Sequence, residues 1–223
     1  MGGSGWWFAE YWDFMPMLAI GWTFWVITSI CLHELAHGLA AVKLGDNTPI
    51  YSGHMTWNPL VHMGKVSLVM FALVGIAFGA MPVNPSRFNH RYGEAIVAFA
   101  GPLCNLLIFI TLMPLLIGWT KFANGKVDPQ LYMNVFVFLN AGCALNLILF
   151  MFNLLPVPPL DGSRILGDFY PRFNELWRGP NAQYMAIGAF IFVFFVFGRK
   201  VGDLGFAISR AVLDWGVGML GSV

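Results

Sequence analysis

LAIGWTFWVITSICLHELAHGLAAV, residues 18–42, is the stretch on which the fold turns. From Leu18 to Leu32 it is almost wholly apolar and carries no charge, as a membrane-crossing helix requires. Toward its end stand His33, Glu34 and His37. Residues four apart lie on one face of a helix, one turn from each other. Both imidazoles can therefore reach a single metal ion, and Glu34 can reach a water on that ion. This is the H-E-x-x-H arrangement: two zinc ligands and a general base. Histidines that only cap a helix at the lipid headgroups would explain neither the spacing nor Glu34. Ionisable groups at membrane depth are costly and mark functional sites.

The whole chain agrees with a membrane setting. It has 223 residues, 58% hydrophobic and 10% charged, with a net charge of +1. Soluble domains carry about 25% charged residues. An all-α polytopic membrane protein of one domain, residues 1–223, is expected, and the charge gives no basis for nucleic-acid binding. Cys31, Cys104 and Cys143 sit inside apolar runs without a C-x-x-C, so they read as packing residues. Residues 1–15 are rich in glycine and aromatics and read as an interfacial tail. They lack a basic n-region and carry Glu10 and Asp13, so no cleavable signal peptide is expected.

Spans are expected at about 16–42, 94–119 and 131–155. Residues 50–63 mix polar and aromatic types and suit an extended or hairpin segment. A further apolar run, 66–82, is interrupted by Gly75 and Gly79. Tyr184 to Gly198 reads as a short span. Residues 203–220 put Leu204, Ile208, Ala211, Trp215 and Met219 on one face, which suggests an amphipathic helix lying on the membrane.

A catalytic zinc usually takes three protein ligands. Candidates for the third are His54, His62, Asp46, Glu94 and Asp161. Asp161 is favoured, because the Pro156-Val157-Pro158-Pro159 turn fixes it at the end of a span. That choice constrains the topology. For Asp161 to meet the histidines, spans 16–42 and 131–155 must run the same way and 94–119 the opposite way. The run 66–82 then cannot cross alone; it must be re-entrant or a hairpin, turning near Gly75 and Gly79. The site side would carry Lys43, Lys65, Arg87, Arg91, Arg164, Arg172 and Arg178, against Lys121, Lys126, Arg199, Lys200 and Arg210. The excess favours a cytoplasmic site face.

Three blocks resemble the site-2 protease family of intramembrane zinc metalloproteases, in particular its short bacterial branch. They are His33-Glu34-Leu35-Ala36-His37, Gly101-Pro102-Leu103-Cys104-Asn105, and Asn153-Leu154-Leu155-Pro156-Val157-Pro158-Pro159-Leu160-Asp161-Gly162. The similarity covers about residues 17–170, the catalytic core, with a C-terminal span and helix at 183–220 beyond it. The resemblance implies one zinc ion held by His33, His37 and Asp161, with Glu34 as base. It implies Asn153, His62 and Asn105 as substrate-binding or supporting residues. Substrates would be transmembrane proteins or peptides, in a bacterial plasma membrane. A membrane metal transporter would not need Glu34 between the histidines. A non-catalytic helix-binding scaffold would not need the complete set.

Overall fold

The computed structural model describes residues 6–177 and 179–221; Arg178 and residues 1–5 of the tail lie outside these. The elements are α1 (Trp7–Phe14), α2 (Pro16–Lys43), α3 (Thr48–Tyr51), α4 (Pro59–Val74), α5 (Gly93–Phe122), α6 (Pro129–Asn153), α7 (Asp161–Phe169), α8 (Pro171–Glu175) and α9 (Ala182–Gly221). Four of them, α2, α5, α6 and α9, are long and apolar enough to cross a membrane. The chain is an all-α polytopic membrane protein, with no strand among the described residues.

Helix starts follow local chemistry. Pro16 and Pro129 open α2 and α6, where a missing N–H costs nothing. The Asp128 carboxylate accepts from the N–H groups of Gln130 and Leu131. Gly45, at φ +97°, ends α2 as a glycine in the left-handed region should.

Helices α2, α5 and α6 form the core. Small residues set their approach: Gly142 of α6 lies under the Trp25 indole, and Gly21 of α2 lies under Phe138. Trp25 Nε1 donates to the Phe138 carbonyl at 2.9 Å and ties α2 to α6.

The run 66–82 does not cross. α4 climbs to Gly75, which turns the chain at φ +75°, and residues 76–84 return beside it. Ala80 N donates to the His62 carbonyl (2.9 Å), and Ser67 Oγ bonds both N and O of Phe78. The segment is thus re-entrant, a helix with an irregular return rather than a β-hairpin. Trp7 closes its tip, with its indole against Gly75 and its Nε1 donating to the Phe71 carbonyl at 3.0 Å. The N-terminal aromatic stretch forms a helix, α1, whose Trp7 rests on this segment.

Two further expectations are corrected. Residues 50–63 are not extended: α3 takes 48–51, and Asn58 caps α4, which starts at Pro59, well before the apolar run. The C-terminal region is not a span followed by a surface helix but one helix, α9. No proline breaks it, and the i,i+4 pairs Arg199–Asp203 and Arg210–Asp214 suit a continuous helix. The large apolar stripe faces away from the protein. Leu204, Trp215 and Met219 are exposed, while Gly205 meets Ile148, Gly216 meets Ile117, and Ser209 and Leu213 are buried. Lipid accepts large apolar side chains as readily as protein does, so small residues decide which face packs.

Candidate metal centre

Two elements, α2 and α7, deliver the three predicted ligands to one point. Near the end of α2, His33 and His37 stand one turn apart, their rings T-shaped with centroids 4.6 Å apart. α6 ends at Asn153, and the proline turn leads to Asp161, the first residue of α7. Gly162 lets this turn close, since a Cβ there would overlap the Leu154 carbonyl. α7 is pinned to the start of α5: Asp168 accepts from Ala95 N at 2.8 Å, Arg164 pairs with Glu94 at 3.4 Å, and Phe169 stacks on Tyr92.

The three donors then converge. His33 Nε2 is 3.0 Å from His37 Nε2 and 3.1 Å from Asp161 Oδ2, and His37 Nε2 is 3.4 Å from Asp161 Oδ1. A tetrahedral zinc with bonds of about 2.0–2.2 Å sets its ligands roughly 3.3–3.5 Å apart. All three residues are buried, at 8%, 4% and 7% exposure, so water cannot screen them.

The far side of each imidazole decides what the near side can do. His37 Nδ1 is 2.7 Å from the Val97 carbonyl, and His33 Nδ1 is 2.6 Å from Asn105 Oδ1. An oxygen can only accept, so both Nδ1 atoms carry the proton. In the neutral rings, both Nε2 lone pairs then face each other and a carboxylate. Such a cluster calls for a cation between its members, and two imidazoles with a carboxylate suit zinc. α5 also leaves room. A Cβ on Gly101 would stand 2.5 Å from His33 Nε2 and closer still to His37 Nε2. Next to it, Pro102 has no N–H for the Ala98 carbonyl, and in this turn a side chain, His37, takes up the neighbouring carbonyl of Val97.

Glu34 is buried at 7% exposure, and its carboxylate lies against Gly79 of the returning segment. A Cβ on Gly79 would come within 2.5 Å of Glu34 Oε1. The sequence marked Gly79 as part of a turn and Gly101 as part of a family block; their role as walls of the site appears only in three dimensions.

The other candidates for the third ligand are engaged elsewhere. His54 Nδ1 bonds Ser52, and Glu94 pairs with Arg164. His62 is buried and its Nε2 donates to the Thr56 carbonyl at 2.6 Å. Asn105 touches His33 directly, whereas the Asn153 amide turns back to Leu149 O within α6.

Asp46 holds the frame of the site. It accepts from Asn84 N at 2.6 Å and Thr48 N at 3.0 Å, with Arg87 at 3.9 Å, and so anchors the end of the returning segment to the end of α2. Burial pushes its carboxyl up, but these N–H donors, the Thr48 hydroxyl and Arg87 outweigh that and hold it below its ordinary 3.8. A depressed folded pKa gives stability that is present above the unfolded pKa and lost as pH falls through the folded one. Asp46→Asn is expected to cost about 1–3 kcal/mol at neutral pH, because Asn84 N–H then faces an amide NH2 or loses its partner. In thermal melts in detergent, its gap to wild type should narrow below pH ~4.

Comparison with known proteins gives a family for the chain. The profile of peptidase family M50 matches residues 116–197, which include the Asp161 turn. "Putative zinc metalloprotease YwhC" of Bacillus subtilis is 34% identical over 164 residues, 70% of each chain. "Putative zinc metalloprotease Rip2" of Mycolicibacterium smegmatis is 30% identical over 165 residues, 71% of this chain and 58% of that protein. "Zinc metalloprotease MJ0392" of Methanocaldococcus jannaschii is 31% identical over 149 residues, 64% of this chain and 34% of that protein. The matches thus span between a third and seven-tenths of these relatives' lengths. No solved structure matches. With a relative 34% identical over 70% of both chains, and a buried His33, His37 and Asp161 group able to hold zinc, the chain belongs to peptidase family M50, whose members are zinc metalloproteases.

Proposed function

We propose that the chain hydrolyses peptide bonds within or beside transmembrane segments of membrane proteins, with one zinc ion held by His33, His37 and Asp161 and Glu34 as general base. The observation that carries this reading is the convergence of three buried ligand atoms beside a buried glutamate, with His33, Glu34 and His37 on a helix long and apolar enough to cross a membrane. Zinc supplies Lewis acidity, which polarises the scissile carbonyl and acidifies water. Glu34 takes the proton of the attacking water and delivers it to the leaving amine nitrogen.

A substrate helix hides its amides in its own hydrogen bonds, so it must unwind to be cut. Residues 76–84 suit an unwound strand. Phe78 and Ala80 turn their backbone groups toward α4. In an extended chain the alternate residues, Gly79 and Met81, direct theirs the other way, where a substrate strand can pair. Gly79 lies against Glu34, and Met81 lies against Gly38 one residue past His37. The site side carries Lys43, Lys65, Arg87, Arg91, Arg164 and Arg172, against Lys121 and Lys126 between α5 and α6 and Arg199, Lys200 and Arg210 on α9. This bias favours a plasma-membrane protein whose site faces the cytoplasm.

The test is metal content and cleavage of an unstructured reporter peptide by detergent-purified protein. Wild type is expected to hold near one zinc per chain and to cleave. Glu34→Gln should keep the zinc and lose roughly 10²–10⁴-fold in rate. Wild-type protein that holds no zinc when the metal is supplied would sink the reading.

A further inference from the structure

Behind His33 lies a chain of buried amides that the proposed chemistry does not use. Asn105 of α5 and Asn146 of α6 are both at 0% exposure. Asn146 Nδ2 donates to the Gly142 carbonyl at 2.9 Å. Asn105 Nδ2 donates to Asn146 Oδ1 at 3.0 Å, and Asn105 Oδ1 sits 2.6 Å from His33 Nδ1.

We infer that Asn146 is a positioning residue for the zinc site: it fixes the polarity of Asn105 and, through it, the tautomer of His33. This rests on the zinc-site reading above. Each step is forced by the one before. Gly142 O is a backbone carbonyl, so the Asn146 atom facing it must be the NH2. The oxygen of Asn146 therefore faces Asn105, which must answer with its own NH2. That leaves Asn105 Oδ1 toward His33, which must carry its proton on Nδ1. Only then does Nε2 offer a lone pair to the metal. An isolated asparagine beside His33 would have no such preference. Flipped, it would present NH2 to Nδ1, draw the proton to Nε2 and block ligation. The helix carbonyl of α6 thus sets the protonation pattern of a ligand on α2, across three helices and out of reach of water.

The mechanism makes a rescue possible that a packing role does not. Asn146→Leu keeps the number and branching of the side chain's heavy atoms and removes the polarity signal. Zinc affinity, measured on the full-length protein in detergent by competition with a chromophoric chelator, is expected to fall roughly 10–100-fold, as for losses behind other metal-bound histidines. Asn105→Asp added to Asn146→Leu should restore it, because a carboxylate has no wrong face to turn to His33 Nδ1. If Asn146→Leu is not recovered as a folded, monodisperse protein, Asn146→Ala takes its place in both arms. Unchanged zinc affinity in the single variant overturns the inference. So does a loss that Asn105→Asp fails to restore, since Asn146 would then act by packing alone. Wild-type protein without zinc in the same assay would instead overturn the metal site itself, which keeps the two failures apart.

Discussion

Asp161→Ala is expected to empty the metal site while leaving the fold in place. Of the three proposed ligands the carboxylate alone does not come from α2, so its loss reduces the set to two imidazoles on one helix face. Two ligands do not complete the usual catalytic set of three. The loss in zinc affinity should exceed the roughly 10–100-fold that outer partners command. Zinc per chain should drop from near one to near zero, and cleavage with it. The fold should survive because α7 is held by other groups: Asp168 on Ala95 N, Arg164 on Glu94, Phe169 on Tyr92. A thermal melt with and without zinc separates the two effects. A ligand at 100 times its dissociation constant stabilises by about 2.7 kcal/mol. Wild type should gain such a shift and Asp161→Ala should not. If Asp161→Ala keeps its zinc, the third ligand lies elsewhere, and the parallel course of α2 and α6 loses its functional reason.

Much of this site could be read from the chain, for reasons that are themselves physical. The H-E-x-x-H spacing and the proline turn before Asp161 are local: helix geometry and fixed φ angles determine them without help from packing. Re-entry of 66–82 followed from parity, since two ligands on two spans must share one face of the membrane. What escaped was set by packing. On α9 the face that packs on the protein is set by small residues, Gly205 and Gly216, which no hydrophobic pattern marks. Residues 50–63 looked extended because their composition is mixed, yet the Asn58 cap and Pro59 start a helix there. Asn146 belongs to no local motif; its place in a chain that ends on His33 depends on contacts 41 and 72 residues apart in sequence.

Gly101→Ala sets two general rules against each other, and the site should win. In a helix interior, alanine is favoured over glycine by about 1 kcal/mol. Gly118, on the same helix with nothing within 4 Å of a built Cβ, shows what that rule predicts alone: Gly118→Ala should raise the melting temperature slightly and leave zinc binding unchanged. At Gly101 the added methyl stands 2.5 Å from His33 Nε2 and nearer to His37 Nε2, in the space between the ligand atoms. Neither ring can yield cheaply. Their Nδ1 atoms are bonded to Asn105 and Val97 of α5, the helix that carries the methyl. Moving a ring aside breaks a buried hydrogen bond at a cost of about 1–3 kcal/mol, more than the helix gains. Gly101→Ala should therefore bind zinc at least 100-fold more weakly, beyond the usual outer-partner range, and lose cleavage while remaining folded. The pair of alanine variants, compared by chelator competition and thermal melting, turns the closeness of Gly101 to the two Nε2 atoms into a measurement. If Gly101→Ala binds zinc as tightly as Gly118→Ala, the ion does not sit between α2, α5 and Asp161, and the three ligand atoms have been brought together for another cation.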